Sequence, residues 1–351
     1  EFGWKPVYEG ENIISLNKGK KNITLEPGNQ IELSGENLKN IHEACSESQN
    51  YLFELKQVTK KLNIQIVSSG FDPFSKLNEI PSNPKKRYSL MTKEMPKEGR
   101  LSLDMMYRTC GTQINLDYVS ENDFSKKFFV LNRIVPIIIA LFANSSIIEK
   151  KNSKFLSYRS YVWQNTSRGG LPKIFLEKMD FEKYADFIIN YPILFIQKNE
   201  NYFNPNGKTF KDFIEGKIEF KKTPSEKDLT NHLSTIFTET RLKKYIEFRS
   251  MDACGWDCLC AGPALLTGII YGNLDEAFNV VKNWDSIDIL SAYKDAPKKG
   301  FKTSLNKKDL YYWSSILINL GKEGLNSRNI LNKNKSNEVK FLSHLENIIL
   351  N

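Results

Sequence analysis

Hydrophobic and polar residues alternate in short runs over the first thirty-five positions. An apolar run at 12–16 is followed by a glycine-containing turn at 17–21, after which the extended pattern resumes. Two such runs joined by a turn predict an antiparallel hairpin. Residues 36–62 then show a helical pattern, and residues 63–67 alternate as a strand.

Four prolines between residues 72 and 99 predict a long loop, and residues 103–118 predict a strand. Ser120, with Asp123 three residues later, predicts the start of a helix that kinks at Pro136. Further predicted elements are a strand fragment at 161–163, helices at 181–189, 209–215 and 225–237, a strand at 241–249, and a surface linker at 332–338 within a mostly helical last hundred residues. Since strands and helices show no regular alternation, we predict an α+β fold with a central antiparallel sheet.

Three of the predicted strands have a polar face, which the two-residue period of a strand defines. The polar faces are Glu26, Gly28, Gln30 and Glu32; Thr109, Gln113, Asn115 and Asp117; and Tyr245, Glu247 and Arg249. A solvent-facing sheet would also alternate, but such faces usually carry Lys, Thr and Ser. The Glu, Gln, Asn and Arg residues found here instead favour a polar binding site.

The carboxylates of these faces indicate what this site binds. Glu26 and Glu32 lie on one face of one predicted strand, and Glu247 supplies a third carboxylate. Mg²⁺ prefers carboxylate and phosphate oxygens, so the set favours a nucleotide–metal site in which Arg249 meets a phosphate. The chain has neither a P-loop motif nor a dinucleotide-binding glycine motif.

Composition places the chain among ordinary globular proteins. It has 351 residues, of which 40% are hydrophobic and 26% charged. The longest apolar run, at 134–143, is too short to span a membrane. The net charge of +9 comes from dispersed lysines, so nucleic-acid binding is the least favoured function. With no secretory leader pattern, we expect a cytoplasmic protein.

Arginine usage is more selective than the net charge. Nine residues are Arg and 41 are Lys. Each Arg is therefore a candidate for planar, bidentate binding that Lys does not provide. Arg108, Arg159, Arg241 and Arg249 lie in the segments that carry candidate chemistry.

The five cysteines do not form a disulfide framework typical of secreted proteins. Cys254, Cys258 and Cys260 lie close together, but no second Cys/His pair has zinc-finger spacing. We therefore favour a local disulfide or buried thiols over a zinc site, and the pairing stays open. The three histidines are far apart, so a Ser-His-Asp or Cys-His hydrolase is also unsupported.

Several collinear motifs carry a family resemblance. They are LEPGNQIELSG (25–35), MP with Gly99 (95–99), LDMMYRTC (103–110), QINLD (113–117), ALFANS (140–145), SYRS with Trp163 (157–163), NHLSTIF (231–237), RLKKYIEFR (241–249) and GFKT (300–303). Together they resemble glutamate–cysteine ligases of the plant and proteobacterial type over essentially the whole chain. Within the first motif, Asn29 replaces a glycine of the family pattern.

The resemblance implies a glutamine-synthetase-like antiparallel sheet flanked by helices, and the ATP-dependent ligation of glutamate to cysteine. ATP would phosphorylate the γ-carboxylate of glutamate, and the cysteine amine would displace phosphate to give γ-glutamylcysteine, the first step of glutathione biosynthesis. By motif position, the metal ligands would be Glu26, Glu32 and Glu247; the ATP- and Mg²⁺-binding residues Gln30, Gln113 and Arg249; the substrate-binding residues Arg108, Arg159 and Asn115; and the catalytic residues Arg249 and Glu247.

The resemblance also concerns domain organisation. We expect one catalytic domain over residues 1–351, with a helical C-terminal part at about 260–351. Family members carry a G-[VT]-E-x-E strand upstream of a segment matching the beginning of this chain, so we expect an incomplete metal site, an exposed sheet edge and weak or no activity.

Two other functions stay open: another ATP-dependent carboxylate–amine ligase, and an inactive remnant that only binds nucleotide. The expected partners are the small molecules glutamate, cysteine and ATP, without nucleic acid or membrane. The sequence leaves the oligomeric state open.

Overall fold

The computed structural model describes residues 2–166, 168–199 and 201–350. The α-helices are α1 (Ile41–Leu62), α2 (Lys86–Glu94), α3 (Ser102–Arg108), α4 (Glu121–Leu141), α5 (Tyr158–Gln164), α6 (Phe181–Ile189), α7 (Phe210–Ile214), α8 (Glu226–Ser234), α9 (Trp256–Thr267), α10 (Leu274–Val281), α11 (Ser286–Lys299), α12 (Leu310–Arg328) and α13 (Ser343–Leu350). The strands are β1 (Lys5–Glu9), β2 (Asn12–Lys18), β3 (Lys21–Leu25), β4 (Ile31–Ser34), β5 (Gly111–Leu116), β6 (Ile147–Ile148), β7 (Lys151–Asn152), β8 (Gly169–Gly170), β9 (Ile196–Lys198), β10 (Asn201–Phe203), β11 (Phe237–Thr238), β12 (Thr240–Leu242), β13 (Ile246–Asp252), β14 (Ser304–Leu305) and β15 (Lys308–Asp309).

Two antiparallel sheets carry the polar faces. One is the meander β1-β2-β3-β4, as the N-terminal alternation predicts, and the other has the order β12-β13-β5. The mixture of helices and antiparallel strands confirms the α+β class. The prediction of one central sheet is wrong for the described residues, because these two sheets share no hydrogen-bonded strand pair.

Helix α4 forms the centre of the hydrophobic core. The side chain of Ser120 accepts a hydrogen bond from the backbone N–H of Asp123, which confirms the predicted start of the helix. Nearly every side chain from Phe124 to Leu141 is buried, and Pro136 lies inside the helix. A helix that is apolar on all sides must be enclosed, and α4 packs against β13, α10 and α11.

The C-terminal part is helical from α9 onward, and a π-helical turn at Gly268–Gly272 follows α9. This turn crosses α12 with direct backbone contact, because a Cβ on Gly268 would overlap the carbonyl of Gly321 and a Cβ on Gly324 would overlap that of Gly268. Glycine is needed here because the two backbones leave no space for a side chain.

Several local predictions are wrong. The loop predicted at 72–99 contains helix α2. Residues 103–110 are mostly in helix α3. Of the strand predicted at 103–118, only the part in β5 is a strand. Residues 63–67 form no strand and expose Ile64, Ile66 and Val67. Residues 161–163 lie in α5, which begins after Ser157 accepts a hydrogen bond from the N–H of Ser160.

Two disulfides involve four of the five cysteines. Cys254 pairs with Cys258, which is one of the two alternatives that the sequence left open, and Cys45 joins α1 to Cys260 in α9. Cys110 is a free thiol. No helix in the described ranges is long and apolar enough to cross a membrane.

One buried arginine illustrates why Lys is not equivalent in the core. Arg133 of α4 donates hydrogen bonds to the carbonyl oxygens of Leu176, Val281 and Trp284. Arg168 likewise donates to two backbone carbonyls. A guanidinium reaches several carbonyls in fixed directions, whereas an ammonium is a single point charge.

We expect Gly324→Ala to lower the free energy of unfolding by about 3 kcal/mol or more, because the added methyl group must push α12 away from the π-helical turn. Chemical denaturation measures this loss. Gly255→Ala is the matched control, since a Cβ there meets nothing within 4 Å, and its effect should stay below about 1 kcal/mol. Equal effects of the two substitutions would contradict the tight crossing.

Candidate active site

The polar face of the sheet β12-β13-β5 is the centre of the candidate site. Glu247 pairs in register with Arg241 on β12 and with Asn115 on β5. On the opposite face, Ile246 and Phe248 are fully buried in the core. The alternation predicted for β13 is therefore confirmed up to Phe248, and Asn115 lies beside Glu247 as a register neighbour.

Glu247 lies among three cations. Its Oε2 accepts hydrogen bonds from Arg241 Nε at 2.7 Å and Arg249 Nη1 at 2.9 Å, and its Oε1 accepts one from Lys243 Nζ at 3.1 Å. Burial alone would raise the pKa of Glu247, but Arg249, Arg241 and Lys243 together hold it well below its usual range. Glu247 is therefore ionised and its charge is already balanced by protein groups.

Arg249 is held on both sides. Its Nη1 donates to Gln113 Oε1 at 3.1 Å as well as to Glu247. Its guanidinium carbon lies 5.1 Å from the centre of the Trp163 ring. Its Nε is buried and has no hydrogen-bond partner in the described part of the chain. The side chain is thus fixed while one donor stays available for an anionic ligand.

A β-bulge changes which residues of β13 face the site. The register against β5 shifts by one residue between Phe248 and Met251, so that Asp252 pairs with Gly111 and Met251 with Thr112. Continued alternation would place Met251 on the polar face. Because the bulge inserts one residue, Met251 enters the core instead and Asp252 joins the face that carries Arg249.

Arg159 reaches this face from α5. Its Nη2 donates to the backbone carbonyl of Arg249 at 2.7 Å, and its guanidinium carbon lies 4.9 Å from the centre of the Trp163 ring. A Cβ on Gly111 would lie 2.6 Å from Arg159 Nη2, so only glycine permits this approach. Two guanidinium groups therefore pack on one indole, and the buried Nε of Arg159 also has no partner among the described residues.

Glu26 and Glu32 meet through a hairpin rather than along one strand. Residues 26–30 form the turn between β3 and β4, with Glu26 N–H donating to the carbonyl of Gln30. Asn29 has a φ of 63°, which explains why the family pattern has glycine there and why Asn is tolerated. The prediction of a continuous strand is wrong, but the two carboxylates still lie close together.

The electrostatics of Glu32 show that negative charge accumulates here. Burial, and then the nearby charge of Glu26, raise the pKa of Glu32 from 4.5 to about 7, with Glu247 adding to the effect and Arg249 opposing it. The polar face therefore divides into a carboxylate side on the hairpin and a cationic side on β13.

Gln30 and Arg108 have structural partners. Gln30 Nε2 donates to the carbonyls of Met106 and Thr109, which ties the hairpin to α3. Arg108 Nη1 pairs with Asp104 at 3.1 Å and with Glu149 at 3.4 Å. Helix α3, which ends at Arg108, packs against α5, which carries Arg159.

The structure brings together only part of the predicted metal site. Within residues 2–166, 168–199 and 201–350, no three His, Cys, Asp or Glu side chains lie close enough to hold one metal ion. Glu26 and Glu32 have the donor chemistry that Mg²⁺ prefers, and burial followed by the charge of Glu26 raises the pKa of Glu32. Glu247 fits a direct ligand less well because three cations already contact it.

Sequence reasoning missed three residues of this site. Lys243 contacts Glu247. The rarity of Arg in this chain singles out the arginines among the basic residues, so a Lys was not selected. Lys85 donates to the carbonyl of Leu25 at 2.9 Å, and the charges of Glu26 and Glu32 act on it. Asp252 gave no signal because the bulge that brings it to the site has no local sequence pattern.

The chain also resembles known proteins in sequence. The sequence profile of glutamate–cysteine ligase family 2 matches residues 6–350. The chain is 39% identical over 345 residues to a Solanum lycopersicum protein named "Glutamate--cysteine ligase, chloroplastic", covering 96% of this chain and 66% of that protein. An Arabidopsis thaliana protein of the same name is 38% identical over 355 residues, covering 99% of this chain and 67% of that protein. The chain spans about two thirds of the length of these relatives.

The expected cytoplasmic location is wrong. The relatives from Solanum lycopersicum, Nicotiana tabacum and Arabidopsis thaliana are all named chloroplastic.

We expect Glu32→Gln to stabilise the protein at pH 8 but not at pH 4. Because the pKa of Glu32 is raised to about 7, the folded state binds this proton more tightly than the unfolded chain. The resulting stability is fully present below about pH 4.5 and is lost as the pH rises through 7. Gln stays neutral, so the Tm difference between variant and parent should grow with pH in thermal melts. The exposed Glu11→Gln is the control, and a pH-independent difference for Glu32→Gln would contradict the raised pKa.

Proposed function

Because the chain belongs to glutamate–cysteine ligase family 2, we propose that it carries the site of an ATP-dependent ligase that joins L-glutamate to L-cysteine. The product would be γ-glutamylcysteine, as in the first step of glutathione biosynthesis. We propose a plastid location on the names of the relatives, and a glutamine-synthetase-like arrangement of the two antiparallel sheets.

The observation that supports the proposal most directly is the pair of guanidiniums on Trp163. Arg159 and Arg249 both lie within about 5 Å of this ring, and both keep a buried Nε without a partner in the described chain. Planar guanidinium donors bind carboxylate and phosphate in a bidentate manner. An amino-acid substrate that becomes an acyl phosphate needs both kinds of recognition in one place.

The proposed reaction has two steps. An oxygen of the glutamate γ-carboxylate attacks the γ-phosphorus of ATP, forming an O–P bond while the bond to ADP breaks. The cysteine amine then attacks the acyl carbon, forming a C–N bond as the C–O bond to phosphate breaks and the ammonium loses a proton. Neither step needs a covalent protein intermediate, so positioning and charge neutralisation supply the catalysis.

Each residue of the polar face has a role in this proposal. Arg249 neutralises the transferring phosphoryl group, and Glu247 with Gln113 fixes its orientation. Arg159 binds the α-carboxylate of glutamate, and Asn115 lines the same face. Gln30 supports the site by fixing the hairpin, and Arg108 contributes positive charge from the end of α3.

The carboxylate side of the face fits a divalent cation. We propose that Glu26 and Glu32 would hold Mg²⁺, with Glu247 nearby as the third predicted acidic group. Such an ion, when bound, would balance phosphate charge and align ATP. The charges of Glu26 and Arg249 both act on the pKa of Glu32, so the carboxylate side lies near the cationic side of the face.

Phosphate release with ATP, Mg²⁺ and glutamate tests the proposal. We expect release that depends on cysteine and is weaker with serine or α-aminobutyrate. The assay should be run on this chain and on a longer form that carries an upstream strand of the family pattern. A better amine than cysteine would indicate a different carboxylate–amine ligase. ATP binding without turnover in both forms would overturn the catalytic proposal in favour of a nucleotide-binding remnant.

We expect Arg249→Lys to lower kcat by about 100-fold or more, because an ammonium cannot contact Gln113, Glu247 and a phosphoryl oxygen in one plane. Steady-state kinetics of phosphate release measure the change. Arg328→Lys, at the end of α12, is the matched control and should keep kcat within about twofold. A normal kcat in Arg249→Lys would remove Arg249 from the proposed role.

A further inference from the structure

Asp252 is a buried carboxylate with four donors around it. Its Oδ2 accepts hydrogen bonds from Ser145 Oγ at 2.6 Å and from the backbone N–H of Asn144 at 2.8 Å. Its Oδ1 accepts one from Ser157 Oγ at 2.8 Å and faces Arg159 Nη1 at 3.9 Å. Only 1% of Asp252 is exposed, and protein donors already occupy both of its carboxylate oxygens.

These contacts join the two elements that carry the arginine pair. Asp252 ends β13, the strand of Arg249, whereas Ser157 is the N-cap residue of α5, the helix of Arg159. Ser145 completes a second link, because its Oγ also accepts a hydrogen bond from the backbone N–H of Arg159. Asp252 therefore faces the guanidinium of Arg159 directly. It is linked to the backbone of Arg159 through Ser145 and to the start of α5 through Ser157.

The need of a buried guanidinium for a counter-charge also connects Asp252 with Arg159. Arg159 is only 3% exposed, and a guanidinium buried to this degree needs a counter-charge. Asp252 supplies that charge, with its Oδ1 lying 3.9 Å from Arg159 Nη1. Gly70 closes the site behind the carboxylate, since a Cβ there would overlap the side chain of Asp252. The carboxylate can therefore act on ligands only through Arg159.

We propose that Asp252 is a positioning residue that holds Arg159 in the orientation required to bind the α-carboxylate of the amino-acid substrate. This inference rests on the proposed function, because it takes Arg159 as the group that binds this carboxylate. The β-bulge in β13 supports this role, because it turns Asp252, rather than Met251, toward Arg159.

Asp252→Asn tests the charge with little change of shape. The backbone N–H of Asn144 can only donate, so it orients the amide oxygen of the variant toward Asn144 and Ser145. The amide nitrogen then faces Ser157, whose hydroxyl can accept, and Arg159, which cannot. The variant thus keeps the serine contacts and loses the attraction to the guanidinium.

We expect Asp252→Asn to raise the KM for glutamate by about 10- to 100-fold, with a smaller change in kcat and with the KM for ATP within about twofold of the parent. Combined with Arg159→Ala, it should add no more than about twofold, since both act through one group. Equal increases in both KM values, or full additivity in the double variant, would overturn the proposal.

Glu338→Gln is the matched control. Glu338 is another fully buried carboxylate, which accepts a hydrogen bond from the N–H of Ile41 at 2.6 Å and lies far along the chain from α5 and β13. We expect this variant to lower Tm without changing the KM for glutamate. If Asp252→Asn behaved in the same way, Asp252 would have a structural role only, and the proposal would be wrong.

A crystal structure of Asp252→Asn separates this proposal from the proposed function. If the parent protein shows no glutamate-dependent turnover, the ligase proposal fails, but the position of Arg159 can still be measured. We expect the guanidinium to leave the Trp163 ring and the carbonyl of Arg249. An unmoved Arg159 would overturn the role of Asp252 whatever the enzyme assay shows.

Discussion

Compensation of charge along β13 determines how the candidate site is assembled. This strand is buried along its whole length, yet it carries Glu247, Arg249 and Asp252. Buried charges persist only when they are paired and hydrogen-bonded. Arg241 on β12 and Arg249 on β13 itself pair with Glu247, and Gln113 on β5 also holds Arg249. Asp252 faces Arg159 on α5. The partners that satisfy the strand are also the residues of the site, so stability and site geometry depend on the same contacts.

Local sequence rules predict the parts of the site in which a strand or helix is regular. Alternation correctly places Glu247 and Arg249 on a polar face, with Ile246 and Phe248 in the core. It fails at Asp252, because a bulge depends on how two strands pair and not on one strand alone. The roles of the site residues come from the family resemblance and stay predictions.

The wrong predictions about the fold also arise where the structure depends on contacts between elements. Residues 63–67 alternate well, but a strand also needs a partner, and none of the described strands pairs with them. Residues 161–163 are rich in β-formers, but the cap at Ser157 and the packing of Trp163 under two guanidiniums select a helix. The start of α4 is predicted correctly because its cap and its apolar run are both local.

The distribution of arginine has a consequence for how this chain tolerates mutation. Six of the nine arginines are buried, whereas most of the 41 lysines lie on the surface. A surface lysine is solvated by water, so its exchange for arginine changes little. A buried guanidinium holds carbonyls, carboxylates or an indole in fixed directions, so the reverse exchange removes several contacts at once. Exchange between the two basic residues is therefore strongly asymmetric, and the six buried arginines mark the positions where genetic drift toward lysine would be harmful.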